Sequence, residues 1–167
     1  MSVLHVVPFA PEYTQGVLDV VLSIQQQEFN LPISLDAQPD LADIGGFYQI
    51  NGGNFWLALS GHRVVGTLGL RDIGNRQGAL RKMFVAADYR GATMGVARLL
   101  LQTLIDWGQA KGFTDIYLGT TEFFHAAHRF YEKNHFTAIE RIHLPPAFPV
   151  MAVDSRFYRR SVHPRAN

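Results

Sequence analysis

The sequence predicts a fold of the α/β class, α+β type, with a mixed and mostly antiparallel central sheet of about seven strands flanked by about four helices. Two observations carry this prediction. Three short apolar segments joined by turns follow one another from Asn54 to Val85, as in hairpin-linked strands. A strand–helix–strand unit and a closing hairpin come next, so the sheet is mixed. A doubly wound dinucleotide-binding fold would alternate strand and helix from its start, and this chain does not.

Length and composition indicate a globular protein with one domain, residues 1–167. Hydrophobic residues make up 47% and charged residues 17%. The net charge of +1, without any basic run, argues against a dedicated nucleic-acid-binding protein. Cysteine is absent, which excludes disulfides, zinc–thiolate sites and a cysteine nucleophile.

The first residues, "MSVLHVVPFAPEY", lack a basic segment followed by a long apolar run. We therefore expect no signal peptide and no membrane span, and a cytoplasmic protein. "HVVPF" is typical of a strand, and apolar residues recur at helical spacing between Tyr13 and Gln27. The prolines of "NLPISLDAQPD" predict a loop after that helix.

A short helix is predicted next, capped by Asp40 and running over residues 41–44. Asp43 would lie in its first turn, where the helix dipole favours a negative charge. The pairs Gly45-Gly46 and Gly52-Gly53 are expected to weaken any helix between them.

The second half of the chain has clearer patterns. "NFWLAL" and "RVVGTLGLRD" predict a hairpin, and "ALRKMFV" a third strand. Val96 to Lys111 has strong helical spacing that Gly112 ends. After the strand "TDIYLG", Thr120 or Thr121 is predicted to cap a helix from about Glu122 to Asn134. Two last strands are predicted from "FTAIERIHL" and "VMAVDSRFYRR", on either side of the rigid "PPAFP".

The loop "DYRGATMG" leads from the third hairpin strand into the long helix. The first turn of a helix presents unpaired N–H groups at the positive end of a dipole, and glycines let a phosphate approach them. Arg90 adds a positive charge. A pyrophosphate site and an ordinary strand–helix turn, in which Gly91 supplies a positive φ and Gly95 allows close packing, explain the loop equally well.

The last predicted helix carries a tyrosine whose phenolic proton could serve a leaving group. Tyr131 lies beside Phe130, which is best explained as a core residue. His125 and His128 are three residues apart, a spacing that can share a metal. No carboxylate lies in a ligand pattern with them, so we expect polar helix-face histidines and no metal.

Together these segments resemble the GNAT superfamily of acetyl-CoA-dependent N-acetyltransferases. "LRKMFVAADYRGATMGVARLLLQTLIDWGQAKGF" is similar to the family's fourth strand, CoA loop and third helix, and "DIYLGTTEFFHAAHRFYEKNHF" to its fifth strand and fourth helix. The second segment matches the family pattern at Ala127, Tyr131, Glu132, Lys133 and Phe136. The resemblance implies a GNAT-like sheet in which the fourth and fifth strands splay apart.

The resemblance also implies the residues that contact acetyl-CoA, the co-substrate. The strand backbone would pair with the pantetheine arm, one strand N–H would polarise the thioester carbonyl, and the loop would bind the pyrophosphate. Tyr131 would protonate the departing thiolate as general acid and contact the cofactor. The strand residues implied are Met83, Phe84 and Val85, and the loop residues are Arg90, Gly91, Ala92, Thr93, Met94, Gly95, Val96 and Ala97.

The sequence departs from the family pattern in two places that matter for mechanism. The usual loop is Gln/Arg-x-x-Gly-x-Gly/Ala, and an alignment on Gly95 puts Ala92 at its first position. Many relatives carry a carboxylate on the fourth strand to take the amine's proton, whereas "ALRKMFV" has none. Glu122, His128 or a relay of water molecules could take this proton instead.

The function expected is transfer of acetyl from acetyl-CoA to a primary amine of a small molecule or peptide, directly in a ternary complex. The alternative is a non-catalytic acyl-CoA-binding or interaction module on the same fold. Acceptor contacts are expected from the two regions that precede the hairpin and the last strand, which hold Glu28, Asp40, Tyr48 and Phe148. Their acidic residues are expected to be solvated and most of their aromatic residues to be core. We expect no nucleic acid or membrane partner, and a possible homodimer.

Overall fold

The computed structural model describes residues 3–91 and 94–163. The strands are β1 (Leu4–Pro8), β2 (Asn54–Ser60), β3 (Arg63–Asp72), β4 (Gln77–Val85), β5 (Asp115–Thr120), β6 (Thr137–Ile139) and β7 (Arg156–Ser161). The α-helices are α1 (Thr14–Leu22), α2 (Pro39–Ala42), α3 (Ile44–Tyr48), α4 (Val96–Lys111) and α5 (His125–Lys133). A π-helical segment, Ser23–Glu28, continues α1.

All seven strands form one sheet in the order β1-β2-β3-β4-β5-β7-β6. Only β4 and β5 are parallel, and every other neighbouring pair is antiparallel. The predicted mixed, mostly antiparallel sheet of seven strands is confirmed. Its described α-helices number five, because the region expected to form one short helix forms both α2 and α3.

Helix α4 covers one face of the sheet and α1 with α3 the other. The buried side of α4 includes Leu100 and Leu104, which pack with apolar residues of β2 to β5. Val17, Val21 and Tyr48 pack against the opposite face. The end of α4 is as predicted, since Gly112 adopts φ 84° and closes the helix as its C-cap.

Three local predictions in the first half are wrong because capping and burial in the folded chain override local sequence preference. Gly45 and Gly46 lie inside α3, because the Asp43 carboxylate caps this helix and accepts the Gly46 N–H at 3.1 Å. Asp40 is not a cap, since α2 begins with Pro39 at its first turn after Gln38. Asp40 is buried rather than solvated, and it accepts a hydrogen bond from the Tyr48 hydroxyl at 2.6 Å.

The second half differs mainly at element ends. Helix α5 begins at His125 after Phe124, which has no side-chain cap, so the predicted caps at Thr120 or Thr121 are wrong. The first of the two final strands is cut to Thr137–Ile139 by a 3₁₀ turn over Arg141–His143. Residues 151–154 form a loop, which shortens the last strand to Arg156–Ser161.

Gly53 joins α3 to β2 at a place where the backbone leaves no room for a side chain. An added Cβ would overlap the carbonyl oxygens of Tyr48 and Leu70. We expect Gly53→Ala to lower the free energy of unfolding by about 1–3 kcal/mol, measured by urea titration, because two backbone segments must move.

The matched control is Gly108→Ala in α4. An added Cβ there meets only Phe113, at 3.8 Å or more. It should leave stability unchanged or raise it by about 0.5–1 kcal/mol, because alanine is the better helix former. Equal losses in the two variants would contradict the steric argument at Gly53.

Candidate active site

Strands β4 and β5 separate after a short paired stretch. Gln77–Leu80 pairs with Asp115–Leu118, whereas β4 continues to Val85 and β5 to Thr120. A bulge lies at the point of separation, because Lys82 adopts φ 56° and the β3–β4 register shifts there. The Thr67 hydroxyl donates to the Lys82 carbonyl at 2.7 Å and fixes the bulge. Bulges of this kind bend a strand away from its neighbour.

A cleft lies between the separated strands. Its empty volume is about 670 Å³, which includes space open to solvent. Side chains of β4, α5 and the loop before β7 form its walls. They include Met83, Phe84, Phe124, Tyr131, Phe148 and Asp154. The predicted separation of the fourth and fifth strands therefore creates a cavity that reaches the middle of the sheet.

Tyr131 lies in the last turns of α5 and faces this cleft. The side chain is buried, and its hydroxyl makes no hydrogen bond within residues 3–91 and 94–163. Burial, with smaller effects from Tyr158 and Asp154, raises the pKa of Tyr131 well above its ordinary value. The phenol therefore keeps its proton at neutral pH.

His128 and Glu122, the two predicted bases, lie outside the cleft lining. His128 is buried, with Nε2 2.9 Å from the Thr121 carbonyl oxygen and Nδ1 3.0 Å from an Arg156 nitrogen. The carbonyl needs a donor, so Nε2 carries the proton and Nδ1 accepts from Arg156. Burial also lowers the pKa of His128. Glu122 is exposed, and its backbone N–H donates to the Ser155 hydroxyl.

The glycine loop leads into α4 as its sequence indicates. Gly91 and Gly95 have φ values of 102° and 69°, and Gly95 is the N-cap of α4 without a side-chain cap. The first-turn N–H groups of Val96 and Ala97 follow directly. Met94 is exposed, while Ala92 and Thr93 lie outside the described residues.

Arg90 is held by a carboxylate that the sequence did not predict. Its guanidinium binds Glu28 through both terminal nitrogens, one at 2.7 Å. Its Nε donates to the Val85 carbonyl at 2.8 Å. The positive charge expected at the mouth of the loop is therefore paired with an acidic residue.

A buried ionic group lies behind the bulge. Lys82 Nζ is 3.5 Å from Asp40 Oδ2 and 3.3 Å from the Met151 sulfur, and the Lys82 and Asp40 side chains are only 2% and 3% exposed. The Tyr48 hydroxyl donates to the same Asp40 oxygen. Burial lowers the pKa of Lys82 to about 8, and the Asp40 carboxylate opposes this shift.

Asp154 is the carboxylate that the structure brings to the cleft. It packs against Gly119 of β5, where an added Cβ would lie 2.7 Å from Asp154 Oδ2. The same oxygen accepts the Met151 N–H at 2.9 Å. Burial raises the pKa of Asp154, although this hydrogen bond and the charges of Arg81 and Lys82 oppose it.

Sequence reasoning missed the three charged residues that line the cleft, Arg81, Lys82 and Asp154. The adjacent charges Arg81 and Lys82 interrupt the apolar alternation of β4, which is the one local sign of a bulge. Asp154 has no such sign, since it lies in a segment that was predicted to be strand. Among the residues described, no group of three or more histidine, aspartate or glutamate side chains could hold a metal ion.

Comparison with known proteins agrees with this geometry. The profile of the "Acetyltransferase (GNAT) family" matches residues 18–136. Probable N-acetyltransferase family 8 member 5 from Mus musculus is 33% identical over 111 residues, which are 64% of this chain and 48% of that protein.

Two solved structures show the same fold. The GNAT-family acetyltransferase from Staphylococcus aureus Mu50 has 39% identity and a TM-score of 0.92, and the match covers 96% of this chain and 99% of that one. The paia N-acetyltransferase from Thermoplasma acidophilum, solved with coenzyme A, has a TM-score of 0.72 at 13% identity, over 95% and 99% of the chains. The second likeness concerns the fold alone.

The open sheet, with β4 and β5 separated around a central cleft, is that of the GNAT acetyltransferase fold. The chain belongs to the acetyltransferase (GNAT) family. It spans about half the length of the curated relatives it matches. None of the helices in the described part of the chain is long and apolar enough to cross a membrane.

Proposed function

We propose that this protein transfers the acetyl group of acetyl-CoA to a primary amine of a small molecule or peptide, directly in a ternary complex. The observation that carries the proposal is the Tyr131 hydroxyl, which is protonated and free of partners among the described residues at the opening between β4 and β5. A direct path fits a chain without cysteine. A cytoplasmic location, a possible homodimer and the absence of a nucleic acid partner also remain proposals.

The chain offers acetyl-CoA a matching surface. The backbone of Met83, Phe84 and Val85 is unpaired towards β5 and can bond an extended pantetheine arm, with one N–H directed at the thioester carbonyl. The loop from Arg90 to Ala97 leads to the N-terminus of α4, whose first turn has no side-chain cap among the described residues, which suits a pyrophosphate. Bound acetyl-CoA supplies an activated acetyl thioester.

Tyr131 is the proposed general acid. Its place in the cleft puts a phenolic proton beside the opening where the thiolate would leave. For removal of the amine's proton we propose a relay of water molecules. Neither Glu122 nor His128 lines the cleft, and both ring nitrogens of His128 have protein partners.

The test is a thiol-release assay with acetyl-CoA and a panel of amines, with the product identified by mass. Release that depends on an amine, together with an acetylated product, is the expected result. If coenzyme A raises the melting temperature but no amine supports release, the chain is instead a non-catalytic acyl-CoA-binding module.

The Glu28–Arg90 pair gives a prediction for cofactor affinity. Glu28→Gln keeps the side-chain shape but removes the negative charge that holds Arg90. Arg90 then faces the phosphates without a competing carboxylate, and the KM for acetyl-CoA should fall by about threefold, the size expected for a partly exposed ion pair.

The control for this prediction is Glu12→Gln. Glu12 and Glu28 line one surface groove, and Glu12→Gln changes the net charge equally, but Glu12 forms no hydrogen bond or ion pair with Arg90. Equal falls in KM for both variants would assign the effect to net charge. A rise in KM for Glu28→Gln would mean that the pair orders the loop for binding.

A further inference from the structure

The cleft presents two opposite charges that do not neutralise each other. The Lys82 ammonium lies at the bulge of β4, and the Asp154 carboxylate lies on the loop before β7. Each shifts the pKa of the other, yet no ion pair joins them. A gap of this kind can hold a molecule that carries both charges.

The Lys82 ammonium has one carboxylate partner, Asp40 at 3.5 Å, and no nearer oxygen acceptor among the described residues. Its contacts are the Met151 sulfur at 3.3 Å, a weak acceptor, and an Asp40 oxygen at 3.5 Å. The Asp40 oxygen already accepts the Tyr48 hydroxyl at 2.6 Å. An ammonium has three donors, and burial makes each unmet donor costly. A negatively charged oxygen entering the cleft would satisfy Lys82.

Asp154 carries the opposite charge into the same cleft. Oδ2 accepts the Met151 N–H, whereas Oδ1 makes no hydrogen bond within the described part of the chain. That oxygen suits an ammonium group. Leu31, Phe124 and Phe148 are among the apolar residues that line the same cleft.

We propose that the acceptor is an α-amino acid with an apolar side chain, its carboxylate bound by Lys82 and its amine directed at Asp154. The inference rests on the proposed function and names its substrate class. Arg81 also lines the cleft and adds positive charge on the carboxylate side. A diamine would bring its second ammonium towards Lys82 and Arg81 and be disfavoured.

In the acetyl transfer step, one bond forms and one breaks. The amine nitrogen bonds to the acetyl carbon while the carbon–sulfur bond breaks. The Tyr131 proton passes to the leaving sulfur. The ammonium loses two protons, of which one passes to solvent and the other returns through water to the Tyr131 oxygen. Asp154 holds the ammonium until it is deprotonated, and the positive charge of Lys82 favours the neutral amine.

The test compares leucine, methionine and phenylalanine with their amides, which keep the amine and side chain but lack the carboxylate. In the wild-type protein we expect kcat/KM to be about tenfold or more higher for the acids, the size of a charge-assisted hydrogen bond. Lys82→Met should bring the ratio of acid to amide close to one. Lys133→Met, an exposed lysine of α5, should leave the ratio as it is.

A second measurement needs no variant. 4-Methylpentanoate, which is leucine without its amine, should inhibit competitively against leucine, and its Ki should rise as the pH passes through about 8, where Lys82 loses its charge. The charged and titratable groups around Lys82 are Asp40 on α2, Tyr48 on α3, Arg81 on β4 and Asp154 before β7. Among these, Lys82 is the cation that titrates in this range.

The results of these experiments distinguish the amino acid assignment from the acetyltransferase function. Equal rates on acids and amides, or inhibition that does not change with pH, would overturn the amino acid assignment and leave acetyl transfer standing. Absence of thiol release with every acid, amide and simple amine would overturn the acetyltransferase function and this inference with it.

Discussion

Tyr131→Phe should lower kcat by about 10²-fold or more while the KM for acetyl-CoA changes little. The substitution removes one oxygen atom from a buried ring and leaves the ring's packing on Phe136 and Tyr158 in place. Only the proton donor is lost, and general acid catalysis contributes about 10²- to 10⁴-fold. Steady-state kinetics with acetyl-CoA varied at a saturating amine would measure both constants.

Tyr158→Phe is the matched control. Tyr158 is a buried neighbour of Tyr131 whose hydroxyl donates to Glu132 at 2.9 Å, outside the cleft lining. It should lose about 1 kcal/mol of stability and keep its turnover. If Tyr131→Phe turned over at the wild-type rate, or if both variants lost the same activity, Tyr131 would not be the general acid.

The pH dependence of the wild-type protein adds a check. The pKa of Tyr131 is raised, so the phenol stays protonated across the usual assay range. No fall in kcat at mildly alkaline pH should come from Tyr131. A fall that persists in Tyr131→Phe would have another source, such as the loss of charge on Lys82.

Much of the fold could be predicted because its elements are specified locally. Strands β2 to β4 alternate or run as apolar segments between turn residues, and α4 has regular helical spacing with Gly112 at its end. The errors occur where packing overrides local preference. The glycines of α3 are helical because Asp43 caps them and Ile44 and Tyr48 are buried against the sheet.

In the candidate site too, residues in local motifs could be predicted and contacts between distant residues could not. Tyr131 and the loop around Gly95 could be predicted, because each belongs to a motif of consecutive residues. Lys82, Asp40 and Asp154 could not, since their meeting depends on a bulge in β4 and on loops far apart in the sequence. Asp40 resembles a helix cap in the sequence, and only the fold shows that its partner is a lysine of the sheet.

Asp40→Asn should lower the free energy of unfolding by roughly 3 kcal/mol at a pH of about 6, because removing one partner of a buried ion pair leaves the other charge uncompensated. Asparagine keeps the size of the side chain and an oxygen for the Tyr48 hydroxyl. The loss therefore concerns the charge of Lys82, whose side chain is 2% exposed. Urea unfolding of both proteins would measure it.

The loss of stability in Asp40→Asn should depend on pH, because it depends on the charge of Lys82. The pKa of Lys82 is about 8 in the folded protein and near its ordinary value of 10.5 when unfolded. The unfolded chain therefore binds more protons between these values, and wild-type stability gains from Lys82 as pH rises through them. Without Asp40, the pKa of Lys82 in the folded protein falls further. The stability of the variant therefore begins to rise at a lower pH than that of the wild-type protein. The gap between the two proteins should therefore narrow as pH rises from about 6 towards about 8, the pKa of Lys82 in the folded wild-type protein, and should not change further above it.

Tyr48→Phe separates charge from hydrogen bonding at the same carboxylate. It removes the 2.6 Å hydrogen bond to Asp40 and leaves both charges in place, so it should cost about 2 kcal/mol without the gap closing between pH of about 6 and about 8. If the loss in Asp40→Asn were equally independent of pH, Asp40 would act through its hydrogen bond alone. A gap that closes in Asp40→Asn and not in Tyr48→Phe would mean that Asp40 keeps Lys82 charged in a site where burial favours the neutral amine.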